Sequence, residues 1–299
     1  MGTAGGSAIT ISADHVTLDL NGFTISSTAS LASGTAVLLS GTRKNITVKN
    51  GHIRGTTTFA AGAFTTGGIF DGVANLATAS ANLRMSDLKI FGMGDDGIDL
   101  GANTVPTFVV ERCNVSVCAR RGIQGGLIRD CAADTTGDTA IAGDIITSCS
   151  GETVNTAVFA GGISGVTIEN CRGISDSGPG VSGSNVNNSR GSSTGGSRIS
   201  GTNVINCFGL STAANQIFAT NVTNSFGTSS PGVGLSAANA TICFGFSTSG
   251  AAGIDANPGT ASFCRGQRAG GTAISAGIAI GCTAVTGTVN SLNKFLGTP

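Results

Sequence analysis

The chain has no tryptophan and no tyrosine, and its only aromatics are 14 phenylalanines. The indole and phenol platforms on which sugars are usually stacked are therefore missing. Charge is scarce: Asp, Glu, Lys and Arg make up 11% of the 299 residues, and 16 basic side chains balance 16 acidic ones. That excludes the cationic footprint of a nucleic-acid binder or of a protein drawn to an anionic membrane surface. Only two histidines are present and no two cysteines stand as a CxxC pair, so a zinc centre is not expected. No apolar run approaches the ~20 residues of a membrane helix. No stretch repeats its apolar residues with a 3.6-residue period. Met1 leads straight into Gly-Thr-Ala-Gly-Gly, without a basic or apolar leader. The expected location is extracellular or cell-surface, with the signal segment absent from this chain.

Glycine is abundant, at 48 residues, and 40% of the chain is hydrophobic. That apolar content is too high for disorder. A residue, usually Gly or Ala, followed by Ile, Val or Leu recurs thirteen times, from Ala8-Ile9 through Gly68-Ile69, Gly97-Ile98, Gly122-Ile123, Ala140-Ile141 and Ala157-Val158, by way of Arg198-Ile199 and Gln216-Ile217, to Ala273-Ile274. Between these lie apolar-x-apolar phrases such as Val16-Thr17-Leu18 and Ile46-Thr47-Val48. Period-two alternation of this kind means strands with one buried face. The phrases end on Asn or Asp: Asn21, Asn50, Asp87, Asp130, Asn170, Asn188, Asn206 and Asn224. These types tolerate the left-handed backbone of a sharp bend.

Eight cysteines fall on one column: Cys113, Cys131, Cys149, Cys171, Cys207, Cys243, Cys264 and Cys282, with Ser189 and Ser225 filling its two gaps. Most steps along it are 18 residues. A hydroxyl follows four residues later, as at Thr135, Thr153, Ser175, Ser193, Ser229 and Ser247. Short strands, sharp bends and a fixed period describe an all-β chain folded as a single parallel β-helix. About 13 rungs stacked ~4.8 Å apart would extend roughly 60 Å. Residues 1–122 form the long-coil part with loops and residues 123–299 the regular part of about 18 residues per coil.

The stretch Ile9-Thr10-Ile11-Ser12-Ala13-Asp14-His15-Val16-Thr17-Leu18-Asp19-Leu20-Asn21-Gly22-Phe23-Thr24-Ile25 resembles the opening of bacterial right-handed parallel β-helix proteins of the pectate-lyase-like superfamily. The later Asn-Cys phrases are similar to repeats in secreted proteins of that group. The resemblance implies the fold over nearly the whole chain. It says little of function, because this fold hosts lyases, hydrolases, esterases, tailspikes and inert surface structures.

Parity sorts inside from outside. The position after the cysteine reads Arg172, Arg190, Phe208, Phe226, Phe244, Arg265. Three arginines in one column argue for an outward column, which places the cysteines inward as small core residues. Cys118 lies off the column and is the expected exposed thiol. Phe208, Phe226 and Phe244, flanked by Arg190 and Arg265, would form an exposed ligand or partner stripe, along which the chain could also oligomerise as a fibre or tailspike component.

Acidic residues thin out after Asp176, with only Asp255 beyond it, so chemistry is expected earlier. The densest polar phrase is Gly94-Asp95-Asp96-Gly97-Ile98-Asp99. Aligning Ile98, Ile123 and Ile141 stacks Asp95, Arg120 and Asp138, with Asp96 and Arg121 beside them. The phrase resembles the Gly-Asp-Asp motif of polygalacturonase-type hydrolases, which implies paired carboxylates as acid and base. A lyase reading would use Arg120 or Arg121 as base, with Asp95, Asp96 and Asp99 holding Ca²⁺; otherwise no cofactor and no metal are expected. That family's Asn-Thr-Asp, Gly-His-Gly and Arg-Ile-Lys phrases are absent, and His15 and His52 read as surface residues. The expectation is therefore a structural and recognition rod, with a polysaccharide as its partner and without intact catalytic motifs. The alternative is a polysaccharide hydrolase or lyase.

Overall fold

The turn residues explain the architecture. Asn21, Asn50, Asp87, Asp130, Asn170, Asn188, Asn206 and Asn224 all adopt positive φ, between 45 and 56°. Each breaks the extended backbone at low cost because its short polar side chain tolerates the left-handed region. A computed structural model describes residues 6–77, 79–101, 107–154, 160–211, 215–230 and 232–295. It shows a parallel β-solenoid, and among the described residues no helix occurs. The chain divides into two compact units, one of residues 1–155 with 162–165, the other of 156–161 with 166–299.

In the first unit Ile9, Val37, Val73, Ile98, Ile123 and Ile141 occupy one register on successive coils. Further along each coil, Lys44–Arg54 stacks on Ala81–Met93, which in turn pairs with Phe108–Glu111 and Asn114–Cys118. One excursion leaves the solenoid: Thr58–Ala60 and Ala63–Thr65 form an antiparallel hairpin with Phe59 and Phe64 packed at 4.8 Å. In the second unit Val181, Ile199, Ile217, Leu235, Ile254, Ile274 and Val289 share one register.

The stacking positions differ slightly from those read in the sequence. Val73, not Ile69, stands in register with Val37 and Ile98. Ala157-Val158 lies outside the described residues, and Gly162-Ile163 begins the strand there. Val289 adds a further level.

All nine cysteines are buried and none forms a disulfide. Small side chains at these positions leave the corner able to bond locally: Cys113 N–H donates to Cys131 Sγ at 3.4 Å, and Cys171 N–H to Ser189 Oγ at 3.2 Å. Cys118 overturns the expectation of an exposed thiol. It is fully buried, because Val117 takes φ 55° and flips the alternation by one residue. Thr135, at φ 52°, does the same, so Thr136 rather than Thr135 pairs with Thr153.

The hydroxyls serve the bends. Ser175 Oγ donates to the Ala160 carbonyl and accepts from Gly178 N–H; Ser247 Oγ donates to the Gly232 carbonyl and accepts from Gly250 N–H. Buried backbone groups that a corner would orphan are thereby satisfied.

Three bends lack the right residue for their backbone. Arg112, Ile242 and Phe263 take φ of 50 to 53° where most other coils have Asn or Asp, and two have the small residues Ser148 and Gly281. A β-branched side chain is the worst fit for that region. Ile242 is also exposed, and it follows a ladder in which Asn224 Nδ2 donates to Asn206 Oδ1 at 2.8 Å. Ile242→Asn is expected to stabilise the protein by about 1 kcal/mol, read as a raised urea midpoint. An unchanged or lowered midpoint would mean that the strain is already relaxed.

Candidate functional site

Three constellations carry polar or aromatic chemistry, and register decides each. The first is the acid and arginine cluster. Asp95 N–H bonds to the Phe70 carbonyl, Arg120 N–H to that of Asp95, and Asp138 N–H to that of Arg120, so Asp95, Arg120 and Asp138 stack as the sequence implied. Asp96 and Arg121 lie beside them. The correct register brings in a residue that sequence reasoning missed. With Val73 opposite Ile98, Asp71 lies opposite Asp96.

Asp71, Asp95 and Asp96 bring one carboxylate oxygen each within 4.8 Å of one another. Asp99 is outside this trio: its Oδ1 accepts Gly101 N–H, and its Oδ2 is 3.9 Å from Arg121 Nη2. Asp96 is buried and fully engaged. Its Oδ1 accepts Arg121 N–H at 2.9 Å, and its Oδ2 meets Arg120 Nη1 at 3.1 Å and Arg121 Nη2 at 3.3 Å. Asp95 Oδ2 meets Arg120 Nη1 at 3.3 Å. Asp138 is not ion-paired with Arg120; its carboxylate accepts from its neighbour Thr139 N–H at 2.7 Å.

A divalent cation would need the oxygens that the two guanidinium groups already occupy, so the trio is poorly suited to hold one. The same contacts tie both Asp96 oxygens to arginine donors.

Burial sets the protonation of this cluster. It pushes Asp71 up to about 6 against a hydrogen bond from Asp96 N–H, and the nearby Asp95 and Asp99 carboxylates add to the rise. Burial also pushes Asp96 up to about 7, opposed by the Arg121 N–H and by the guanidinium groups. For Asp71 the folded value lies above the unfolded one near 3.8. Its contribution to stability is therefore complete below about pH 3.8 and is lost as pH rises through about 6. Asp71→Asn cannot ionise, so it is expected to gain thermal stability relative to the wild type by a few degrees between pH 4 and pH 7. Parallel curves for the two proteins would remove Asp71 from the pH response.

The second constellation is the aromatic column. Arg190, Phe208, Phe226, Phe244 and Arg265 stand in direct register. The rings are half-buried and stacked, with centroids 5.1 and 5.0 Å apart and planes 1 and 7° from parallel. Arg190 lies 5.2 Å from the Phe208 ring and Arg265 5.8 Å from the Phe244 ring. The column faces outward, as parity required. Its ring faces are spent on one another and on the two guanidiniums, which leaves ring edges for solvent.

The third constellation is a cleft of about 480 Å³ on the outer face of the first unit, lined by Thr24, His52, Ile53, Arg54, Lys89, Ile90, Phe91, Asn114 and Ser116. Strand alternation aims His52 and Arg54 outward from Lys44–Arg54, and Lys89 and Phe91 outward from Ala81–Met93. His52 pairs in register with Lys89, and Arg54 with Phe91. None of Asp95, Asp96, Arg120, Arg121 or Asp138 lines this cleft. The sequence signal was alternation around His52 and Lys89, visible only once the 37-residue offset between their strands is known.

A separate ion cluster buries a carboxylate under arginines. Glu111 is fully buried beneath Arg84 and Arg129, whose Nε atoms each donate to it at 2.8 Å, while Arg112 clamps Asp87 through two 2.8 Å bonds. Burial alone would raise Glu111; the bonds from Arg129 and Arg84 outweigh it and hold the carboxyl below its ordinary range. No family model matches the chain, and no curated protein matches it.

Proposed function

We propose that this chain is a structural and recognition β-helix that binds a saccharide in the cleft of its first unit, without a catalytic centre at the aspartate cluster. The observation that carries this reading is the cleft itself. It presents hydrogen-bonding side chains from four neighbouring strands, and Phe91 adds an exposed apolar surface to its lining. The aspartates argue against turnover, because Asp96 is committed to Arg120 and Arg121. The capped Phe208–Phe226–Phe244 column supports the structural half of the reading, since stacked faces hold coils together more readily than they hold a sugar.

The test is calorimetric titration of the full chain with neutral and acidic oligosaccharides, followed by product analysis of the same mixtures. Binding without product is expected. Product formation that Asp96→Asn abolishes would replace this reading with the hydrolase or lyase alternative.

A further inference from the structure

We infer that the His52, Arg54, Lys89 cleft is an oxyanion site, and that the saccharide it takes carries a sulfate or phosphate ester. This rests on the recognition reading and names its ligand class. Arg54 and Lys89 are exposed cations, and neither carries an ion pair among the described residues. Most basic residues of this unit are paired: Arg43, Lys49, Arg84, Arg112, Arg120, Arg121 and Arg129 are each bonded to a carboxylate, and Lys44, away from the cleft, is the other one with no ion pair among the described residues.

The spacing is set by the sheet. His52 and Lys89 sit one coil apart, ~4.8 Å, and Arg54 lies two residues along from His52, ~6.7 Å. Three donors thus line one cleft within a single coil step, with Asn114 continuing the His52–Lys89 column. A carboxylate offers two oxygens in a plane. A tetrahedral ester offers three free oxygens and can meet all three side chains at once. Phe91, beneath Arg54 in register, is placed to receive the ring that carries the ester. The nearest acid in that column is Asp134, beyond Ser116 and two coils from Phe91.

The experiment titrates the full chain with a neutral glucan tetrasaccharide, its sulfated and phosphorylated derivatives, a uronate tetrasaccharide, and inorganic sulfate and phosphate. One or both esters are expected to bind at least tenfold more tightly than the neutral parent, and the tighter of the two identifies the ester. Arg54→Gln and Lys89→Gln, both at exposed positions, are each expected to weaken ester binding about tenfold. Equal binding of neutral and esterified tetrasaccharides would overturn the oxyanion site and leave saccharide recognition standing. Uronate binding as tight as the esters would overturn the tetrahedral argument. Inorganic ions bound in an Arg54-dependent way, with no tetrasaccharide bound, would keep the oxyanion site and sink the saccharide reading. No binding of any probe to folded protein would overturn both.

Discussion

Gly227→Ala is expected to destabilise the second unit by about 2–3 kcal/mol, and Gly227→Val by more. A Cβ at this position would stand 2.0 Å from the Gly234 carbonyl oxygen, seven residues on in the same coil. Real side chains never approach backbone so closely, so the backbone itself would have to move. The position recurs. A Cβ would meet the Gly180 oxygen at 1.8 Å from Gly173, the Arg198 oxygen at 2.1 Å from Gly191, and the Gly253 oxygen at 2.2 Å from Gly245. Here the nearest approach between the two walls of each coil is to a backbone carbonyl, with Val181, Ile199 and Ile254 side chains close behind. Because coils are stacked, a displaced wall at one level disturbs the levels above and below. The thermal midpoint should fall by roughly 5–10 °C for Gly227→Ala. Gly209 supplies the internal control, since its nearest atoms lie at 3.1–3.3 Å. Gly209→Ala should cost clearly less, and equal losses at the two sites would refute the wall-contact account.

Glu111→Ala is expected to cost about 2–3 kcal/mol, although it removes no apolar contact. The wild-type carboxylate is wholly covered, yet its cover is guanidinium groups about half exposed to water. Removing it leaves Arg84, Arg112 and Arg129 crowded around Asp87 alone. Solvent just beyond them screens part of that repulsion, which keeps the loss at the lower end for a broken buried pair. The held-down carboxyl also fixes the sign with pH. Its contribution is present above the unfolded value near 4.5 and is lost as pH falls through the lower folded value. Denaturant titrations at pH 7 and pH 3 should therefore show wild type and Glu111→Ala far apart at the first and closer at the second. A constant gap would mean that packing, not charge, holds the cluster.

Much of the fold was legible because its corners have chemistry. Eight Asn and Asp residues marked bends that the backbone does make, and parity placed the cysteine column inward and the Phe column outward. The failures trace to backbone changes with no residue signature. Val117 and Thr135 are ordinary strand residues by type, so their left-handed conformations, which bury Cys118 and Thr136, could not be read. Long early coils hid the rest. Taking Ile69 for the stacking residue instead of Val73 shifts the column by four, and Asp71 drops out of the cluster it belongs to. The cleft had no signature, because His52 and Lys89 meet only through a pairing of strands 37 residues apart.

The regular coils of the second unit have a consequence for how such a chain can change. Val181, Ile199, Ile217 and Leu235 are separated by equal steps of 18 residues, and the paired strand positions that follow each keep the same register. Excising residues 199–216 would bring Ile217 to the position Ile199 now holds, with each outward, inward and corner residue landing on its own kind. Length in this part of the molecule is therefore a heritable variable that moves in whole coils. Steps of other sizes occur further along, from Leu235 to Ile254 and on to Ile274, and there the difference is taken up by register shifts between Ser236 and Asn239 and between Ala256 and Thr260.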